Sequence, residues 1–206
     1  MLFYPVATES SQSTGRPVAR PSHFRSIISS GMSDIAIAHS SPEQARVVSR
    51  CLTDHRTYVY ASRAYLSEAA PIAAREDLKK HPFIGFVDEL LFPHEIRFSD
   101  AIGVEPRIRS TNVLAQLHAT LSGSGLCVLP AFIASSNPTL VPVLPDQVSF
   151  TRSYHLHIYE DHRKAPHVRE VSGFIAAEVE RNHSLFHEPT ARPVASPENM
   201  RQTRRL

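Results

Sequence analysis

Residues 110–130, STNVLAQLHATLSGSGLCVLP, decide the fold class. Ser110 is a good N-cap residue, and the residues after it predict a helix over Val113–Leu121. Gly123 and Gly125 would end that helix and turn the chain into an apolar strand, Leu126–Leu129. A helix, a glycine turn and an apolar strand in succession are typical of an α/β fold.

The same alternation extends to both sides of this stretch. The last helix would place Val168, Val171, Phe174, Ile175 and Val179 on one apolar stripe. Asp54-His55-Arg56 is predicted as a polar turn between two strands. The alternation as a whole indicates an α/β fold with mostly parallel sheets. Strands are predicted over 34–38, 46–52, 57–61, 83–87, 106–109, 140–144 and 154–159, and helices over 62–66, 76–80, a short stretch from 130, and 165–181.

Charge is distributed unevenly along the 206 residues, whose formal net charge is +2. The middle, residues 31–180, has 14 Lys and Arg against 17 Asp and Glu, so the basic excess lies in the two ends. Both ends are rich in serine or proline and lack an apolar period, which predicts disordered arms over 1–33 and 181–206. An acidic middle segment argues against direct DNA binding by this chain.

Other functional classes find little support in the residues. No apolar run approaches the ~18 residues of a membrane helix, and no secretory signal opens the chain, which favours a cytoplasmic location. Two cysteines do not make a disulfide framework or a cysteine-based zinc site. His155, His157, His162 and His167 lack metal-ligand spacing, so a solvated strand face is the preferred interpretation. We therefore predict no metal, no cofactor and no catalytic residues, and an enzyme ranks last.

Ser110-Thr111-Asn112 is the strongest candidate for ligand binding. Free backbone N–H groups and the positive end of the helix dipole attract an anion, and three short polar side chains would help to hold it. The alternative is that these residues only cap the helix.

Five motifs in the right order resemble LysR-type transcriptional regulators, over about residues 31–180. The part they resemble is the C-terminal effector-binding, or substrate-binding, domain. The motifs are Asp34-Ile-Ala-Ile-Ala38, Tyr60-Ala-Ser-Arg-Ala-Tyr-Leu66, Asp77-Leu-Lys-Lys-His-Pro82, Gly123-Ser-Gly-Leu-Cys-Val-Leu-Pro130 and Pro166-His-Val-Arg-Glu170.

The resemblance implies a type II periplasmic-binding-protein-like fold over 34–180. Two α/β subdomains would be joined by crossover strands, with an effector in the cleft between them. The first crossover would be Thr57–Ser62 and the return Val148–Ser153. Subdomain I would comprise 34–57 and 150–180, and subdomain II would comprise 58–149.

The resemblance also implies a small anionic metabolite as effector. Family members contact it through the start of a helix, which corresponds here to Ser110, Thr111 and Asn112. Two further contacts would come from the residues after the first strand, His39 and Ser40, and from the loop Val87-Asp88. His39 stands where the family often has arginine.

The family places a winged helix-turn-helix before this domain, and residues 1–30 do not resemble one. The resemblance therefore implies the effector-sensing part of an N-terminally truncated regulator, with a homodimer and association with full-length regulators both open. Two alternatives remain: a free-standing solute-binding module, and a degenerate or mis-started fragment without activity.

Overall fold

The computed structural model describes residues 34–39, 46–87 and 97–189. Predictions for 1–33 and 190–206, and for Ser40 and Asp88, lie outside these residues. The strands are β1 (Ile35–Ala38), β2 (Val47–Ser62), β3 (Phe83–Gly85), β4 (Pro106–Arg109), β5 (Leu126–Pro130), β6 (Leu140–Val143) and β7 (Ser149–Tyr159). The α-helices are α1 (Arg63–Glu68), α2 (Phe98–Ile102), α3 (Val113–Leu121), α4 (Ala131–Ala134), α5 (Pro166–Arg181) and α6 (His183–His187), with 3₁₀ turns at Arg75–Lys80 and Glu160–His162.

The described strands form one sheet in the order β1-β7-β2-β5-β3-β4, with β6 also paired to β2. Parallel pairing occurs only among β5, β3 and β4 in these residues, so the prediction of mostly parallel sheets is wrong. The reason is that β2 and β7 are long and run in opposite directions side by side. Thr57 pairs with Phe150 in this ribbon, which places the two predicted crossovers next to each other.

Strand β2 is continuous for 16 residues, so the predicted turn at Asp54-His55-Arg56 is wrong. Each of these residues has a cross-strand partner on β7, and the irregularity in the ladder falls earlier, between Cys51 and Thr53. Ladder hydrogen bonds to β7 satisfy the backbone here, which outweighs the weak strand propensity of Asp and Arg.

Two hydrophobic clusters lie on opposite faces of the β2–β5 pair, as strand alternation requires. One contains Val59, Leu126 and Val128, and the other contains Tyr60 and Leu129. The strand prediction for 126–129 and the helix prediction for Val113–Leu121 are confirmed. Gly123 follows the end of α3 with φ +83°, the left-handed conformation expected of a glycine helix stop.

The C-terminal helices differ from expectation in two respects. Val171 and Phe174 on α5 are 48% and 61% exposed, so only part of the predicted apolar stripe faces the sheet. Residues 183–187, placed by the sequence in a disordered tail, form α6, which packs on β2 and α4. The hydroxyl of Tyr58 donates to the carbonyl oxygen of His187 (2.8 Å), and the ring of Phe186 lies 5.3 Å from that of Phe132.

None of the helices in the described ranges combines the length and apolar character needed to cross a bilayer.

Candidate functional site

The ends of two parallel strands meet at the start of α3. The backbone N–H of Ser110, just after β4, donates to the carbonyl oxygen of Gly85, the last residue of β3 (3.0 Å). Val87 follows two residues later and is half-buried. The carboxyl ends of parallel strands are where open α/β sheets bind their ligands.

Asn112, not Ser110, caps α3. Its side-chain oxygen accepts from the N–H groups of Leu114 (2.8 Å) and Ala115 (3.3 Å). Ser110 lies two residues too early, and its hydroxyl instead accepts from the N–H of Asn112 (3.1 Å). The prediction that Ser110 is the N-cap is therefore wrong. Thr111 and Asn112 are exposed at the start of α3, where Asn112 already occupies the N–H groups of Leu114 and Ala115.

His39 lies at the other side of the sheet, directly after β1. Its ring Nδ1 donates to the carbonyl oxygen of Ser153 (3.2 Å), and its ring stacks on Tyr154 with centroids 4.3 Å apart. The structure thus joins the end of β3, two residues before Val87, to Ser110, and it places His39 in a second group built on β7.

His55 is a member of that second group which the sequence prediction missed. Its side chain is only 1% exposed and stacks on Tyr154 at 4.6 Å. Burial first, and then the neighbouring His39 and Arg152, lower the pKa of His55 from its ordinary value of 6.5 to about 4. The alternation of Thr53, His55 and Thr57 with charged residues is the signal that would have indicated a half-buried strand.

The other histidines of strand β7 and the chain after it have separate contacts. Within 34–39, 46–87 and 97–189, no group of three or more His, Cys, Asp or Glu could hold a metal ion. His157 is buried, with its Nδ1 2.7 Å from the hydroxyl of Ser49, so the prediction of a solvated strand face is wrong there. His162 and His167 both contact the carboxylate of Asp34.

A small cavity of about 20 Å³ lies behind β3, lined by Phe83, Gly85, Phe98, Pro106, Gln116, Val128 and their neighbours. This volume holds about one water molecule, whereas ligand sites are more than tenfold larger. The cavity therefore belongs to the packing behind the site.

The sheet with its helices is a mixed α/β fold of the type II periplasmic-binding-protein-like class. The model of the LysR substrate binding domain family matches residues 18–180. The chain belongs to that family, whose members are regulatory, effector-binding domains of LysR-type transcriptional regulators. The match begins before the domain start predicted at residue 34.

Solved structures of such regulators share the fold. The regulatory domain of CrgA from Neisseria meningitidis is 23% identical, with a TM-score of 0.62 over 72% of this chain and 76% of that one. The structure of the CrgA regulator, also from Neisseria meningitidis, is 23% identical, with a TM-score of 0.66 over 75% of this chain and 55% of that one. The regulatory domain of HypT from Salmonella typhimurium, in a bromide-bound form, is 11% identical, with a TM-score of 0.58 and 78% of each chain covered. No curated protein sequence matches.

This chain therefore spans about half the length of the CrgA regulator structure. LysR-type regulators bind small-molecule effectors and act as oligomers.

Proposed function

We propose that this domain senses a small anionic metabolite that binds at the start of α3. Ser110, Thr111 and Asn112 would be the main contacts. The observation that supports this most is the hydrogen bond from Ser110 to Gly85, which joins two parallel strand ends beside an exposed helix N-terminus. Val87 and Asp88 would contribute from the loop after β3, and His39 and Ser40 would contribute from the chain that follows β1, at the other side of the sheet.

The proposed site lies between two subdomains, 34–57 with 150–180 and 58–149. Between these ranges the chain crosses along the β2–β7 ribbon. Bromide binding by the HypT regulatory domain supports an anion as ligand for a domain of this fold. Because the family senses effectors rather than transforming them, we propose a cytoplasmic, non-catalytic role without direct DNA binding by these residues.

A thermal-shift screen of small carboxylates tests the proposed site. A ligand at about 100 times its Kd stabilises the folded state by about 2.7 kcal/mol, which raises Tm by about 5–10 °C in a domain of this size. Thr111→Val and Ser110→Ala are expected to abolish most of that rise. Ser122→Ala, at the opposite end of the same helix, is the matched control and should retain it. A Tm rise that survives both site variants, or no rise with any carboxylate, would contradict the proposal.

We further propose that the domain self-associates through α5 and α6. Val171 and Phe174 are three residues apart on one face of α5, and Leu185 on α6 is also exposed at 42%. Association with full-length regulators would use the same apolar surface.

Sedimentation velocity over a range of concentrations measures this association. Phe174→Ser is expected to weaken dimerisation about tenfold or more, since a large exposed aromatic is the kind of side chain that dominates an interface. Leu114→Ser removes a comparably exposed apolar side chain, 55% exposed, on the distant helix α3. Equal effects of both substitutions would overturn the assignment of the surface.

A further inference from the structure

One buried side-chain amide connects the two loops of the proposed effector site. Gln116 lies on α3 and is 1% exposed. Its Nε2 donates to the carbonyl oxygen of Gly85 (3.2 Å) and to that of Ser110 (2.7 Å). The first carbonyl ends β3 and the second begins the Ser110-Thr111-Asn112 turn, so both protons of a single carboxamide are used between two strand ends.

The orientation of that amide follows from its partners, because two carbonyl oxygens can only accept and Nε2 must face them. Its Oε1 lies 3.6 Å from Sγ of Cys127 on β5, whose thiol can donate either to this oxygen or to the carbonyl oxygen of Val128 (3.7 Å). Burial raises the pKa of Cys127 to about 12, so the thiol keeps its proton at neutral pH. Cys127 is therefore a small core residue that can also donate a hydrogen bond to the amide.

The helix backbone holds Gln116 in place relative to the same turn. Its N–H donates to the carbonyl oxygen of Asn112 (3.1 Å), and its own carbonyl accepts from the hydroxyl of Thr120 (2.8 Å). On the sheet side Gly85 fits closely, because a Cβ there would lie 2.6 Å from Cγ of Pro106. Gln116 is thus tied to the turn through its backbone, and no side chain larger than glycine fits at the Gly85 end of its amide contact.

We propose that Gln116 is a positioning residue for the effector site, holding the loop after β3 and the Ser110-Thr111-Asn112 turn in a fixed relation. This inference rests on the proposed function of that turn. It assigns a role in specificity to a residue outside the proposed contacts: this carboxamide, together with the hydrogen bond from the Ser110 N–H to the Gly85 carbonyl, holds the end of β3 against Ser110.

Hydrogen exchange on Gln116→Glu tests the proposal without any ligand. A buried carboxyl group has a raised pKa, and only its protonated form donates a hydrogen bond. At about pH 8 we expect the N–H groups of Ser110, Asn112 and Leu114 to exchange about tenfold faster than in the wild type at the same pH. At about pH 5 protection should return in part, while N–H groups of the β2–β7 ribbon match the wild type at both pH values.

Two further variants keep the test decisive. Gln116→Met retains the volume without donors and should loosen the same N–H groups at every pH, so it substitutes for Gln116→Glu if that variant does not fold. Leu117→Ala removes buried side-chain atoms from the same helix, at a residue that makes none of the hydrogen bonds around Gln116, and it controls for a general loss of stability. Equal loosening of the turn in Leu117→Ala, or a turn that stays protected in Gln116→Met, would overturn the inference.

The two proposals fail in different ways. Unchanged exchange in the Gln116 variants overturns only the positioning role, because no ligand is involved. A negative carboxylate screen on a wild-type domain whose turn does depend on Gln116 overturns only the proposed ligand.

Discussion

Gly125→Ala is expected to lower the free energy of unfolding by more than about 3 kcal/mol, enough to remove a large part of the stability of a domain this size. Gly125 has φ +142°, a conformation that side-chain-bearing residues rarely adopt. A Cβ at this position would lie 2.2 Å from the carbonyl oxygen of Pro82 and 2.9 Å from its carbon. These atoms of Pro82 belong to the backbone, so they cannot move away by a change of side-chain rotamer. The strands themselves must therefore shift.

The shift would act on the centre of the sheet. The carbonyl oxygen of Pro82 accepts from the N–H of Leu126 (2.9 Å), and Phe83 pairs with Leu126 at the start of the parallel β3–β5 ladder. Leu126 is fully buried and Phe83 nearly so, in the same hydrophobic cluster. Displacing Pro82 therefore has two effects: it breaks a ladder hydrogen bond, and it loosens the packing of the hydrophobic core.

Urea unfolding of Gly125→Ala and Gly173→Ala measures the effect against a matched control. Gly173 lies inside α5, and a Cβ there would meet nothing within 4 Å. Gly173→Ala is thus expected to stabilise the domain by about 0.5–1 kcal/mol, because alanine is the better helix former. A Gly125→Ala variant within about 0.5 kcal/mol of the wild type would refute the close approach.

The region around Gly125 was also the most predictable from sequence. The helical spacing of 113–121, the glycines at 123 and 125, and the apolar run 126–129 are local signals, and each agrees with the final fold. The β2 strand shows the limit of such signals. Asp54 and Arg56 are poor strand residues whose conformation is imposed by pairing with β7, about a hundred residues away in the chain.

In the candidate site, too, only the features with local sequence signals could be predicted. That a helix starts after Ser110 follows from local spacing, but which residue caps it depends on backbone angles, and Asn112 takes that role with its extended φ of −104° and ψ of 115°. Gln116 gives no sequence signal, because a glutamine on a helix is ordinarily exposed. Its burial depends on the parallel strands that bring Gly85 and Ser110 together.

The acid stability of the domain is expected to depend on His55. Its folded-state pKa of about 4 lies below the ordinary value of 6.5, so protons bind more readily to the unfolded chain. The folded state therefore has its full stability above about pH 6.5 and loses it as the pH falls toward 4. At 1.36 kcal/mol per pKa unit, this single histidine accounts for a loss of up to about 3 kcal/mol.

The surroundings of His55 explain why its pKa is lowered. Burial is the largest cause, followed by His39 and Arg152, and then by His187, all of which disfavour a second positive charge. Asp54 is the opposing influence, and it is too weak to reverse the shift. The ring Nδ1 of His55 has no hydrogen-bond partner among the described residues, so a proton added there would remain buried and unpaired.

Urea unfolding of His55→Phe between about pH 7 and pH 4 isolates this contribution, because the other titrating groups are common to both proteins. Phenylalanine keeps an aromatic ring between Tyr154 and Phe132 and cannot accept a proton. The variant should lose up to about 3 kcal/mol less than the wild type over this range. His118→Phe, exposed on α3, is the control and should follow the wild-type pH dependence. If His55→Phe and the wild type lose stability in parallel, His55 is not the group that couples the fold to protons, and the stack with His39 and Tyr154 is only a packing arrangement.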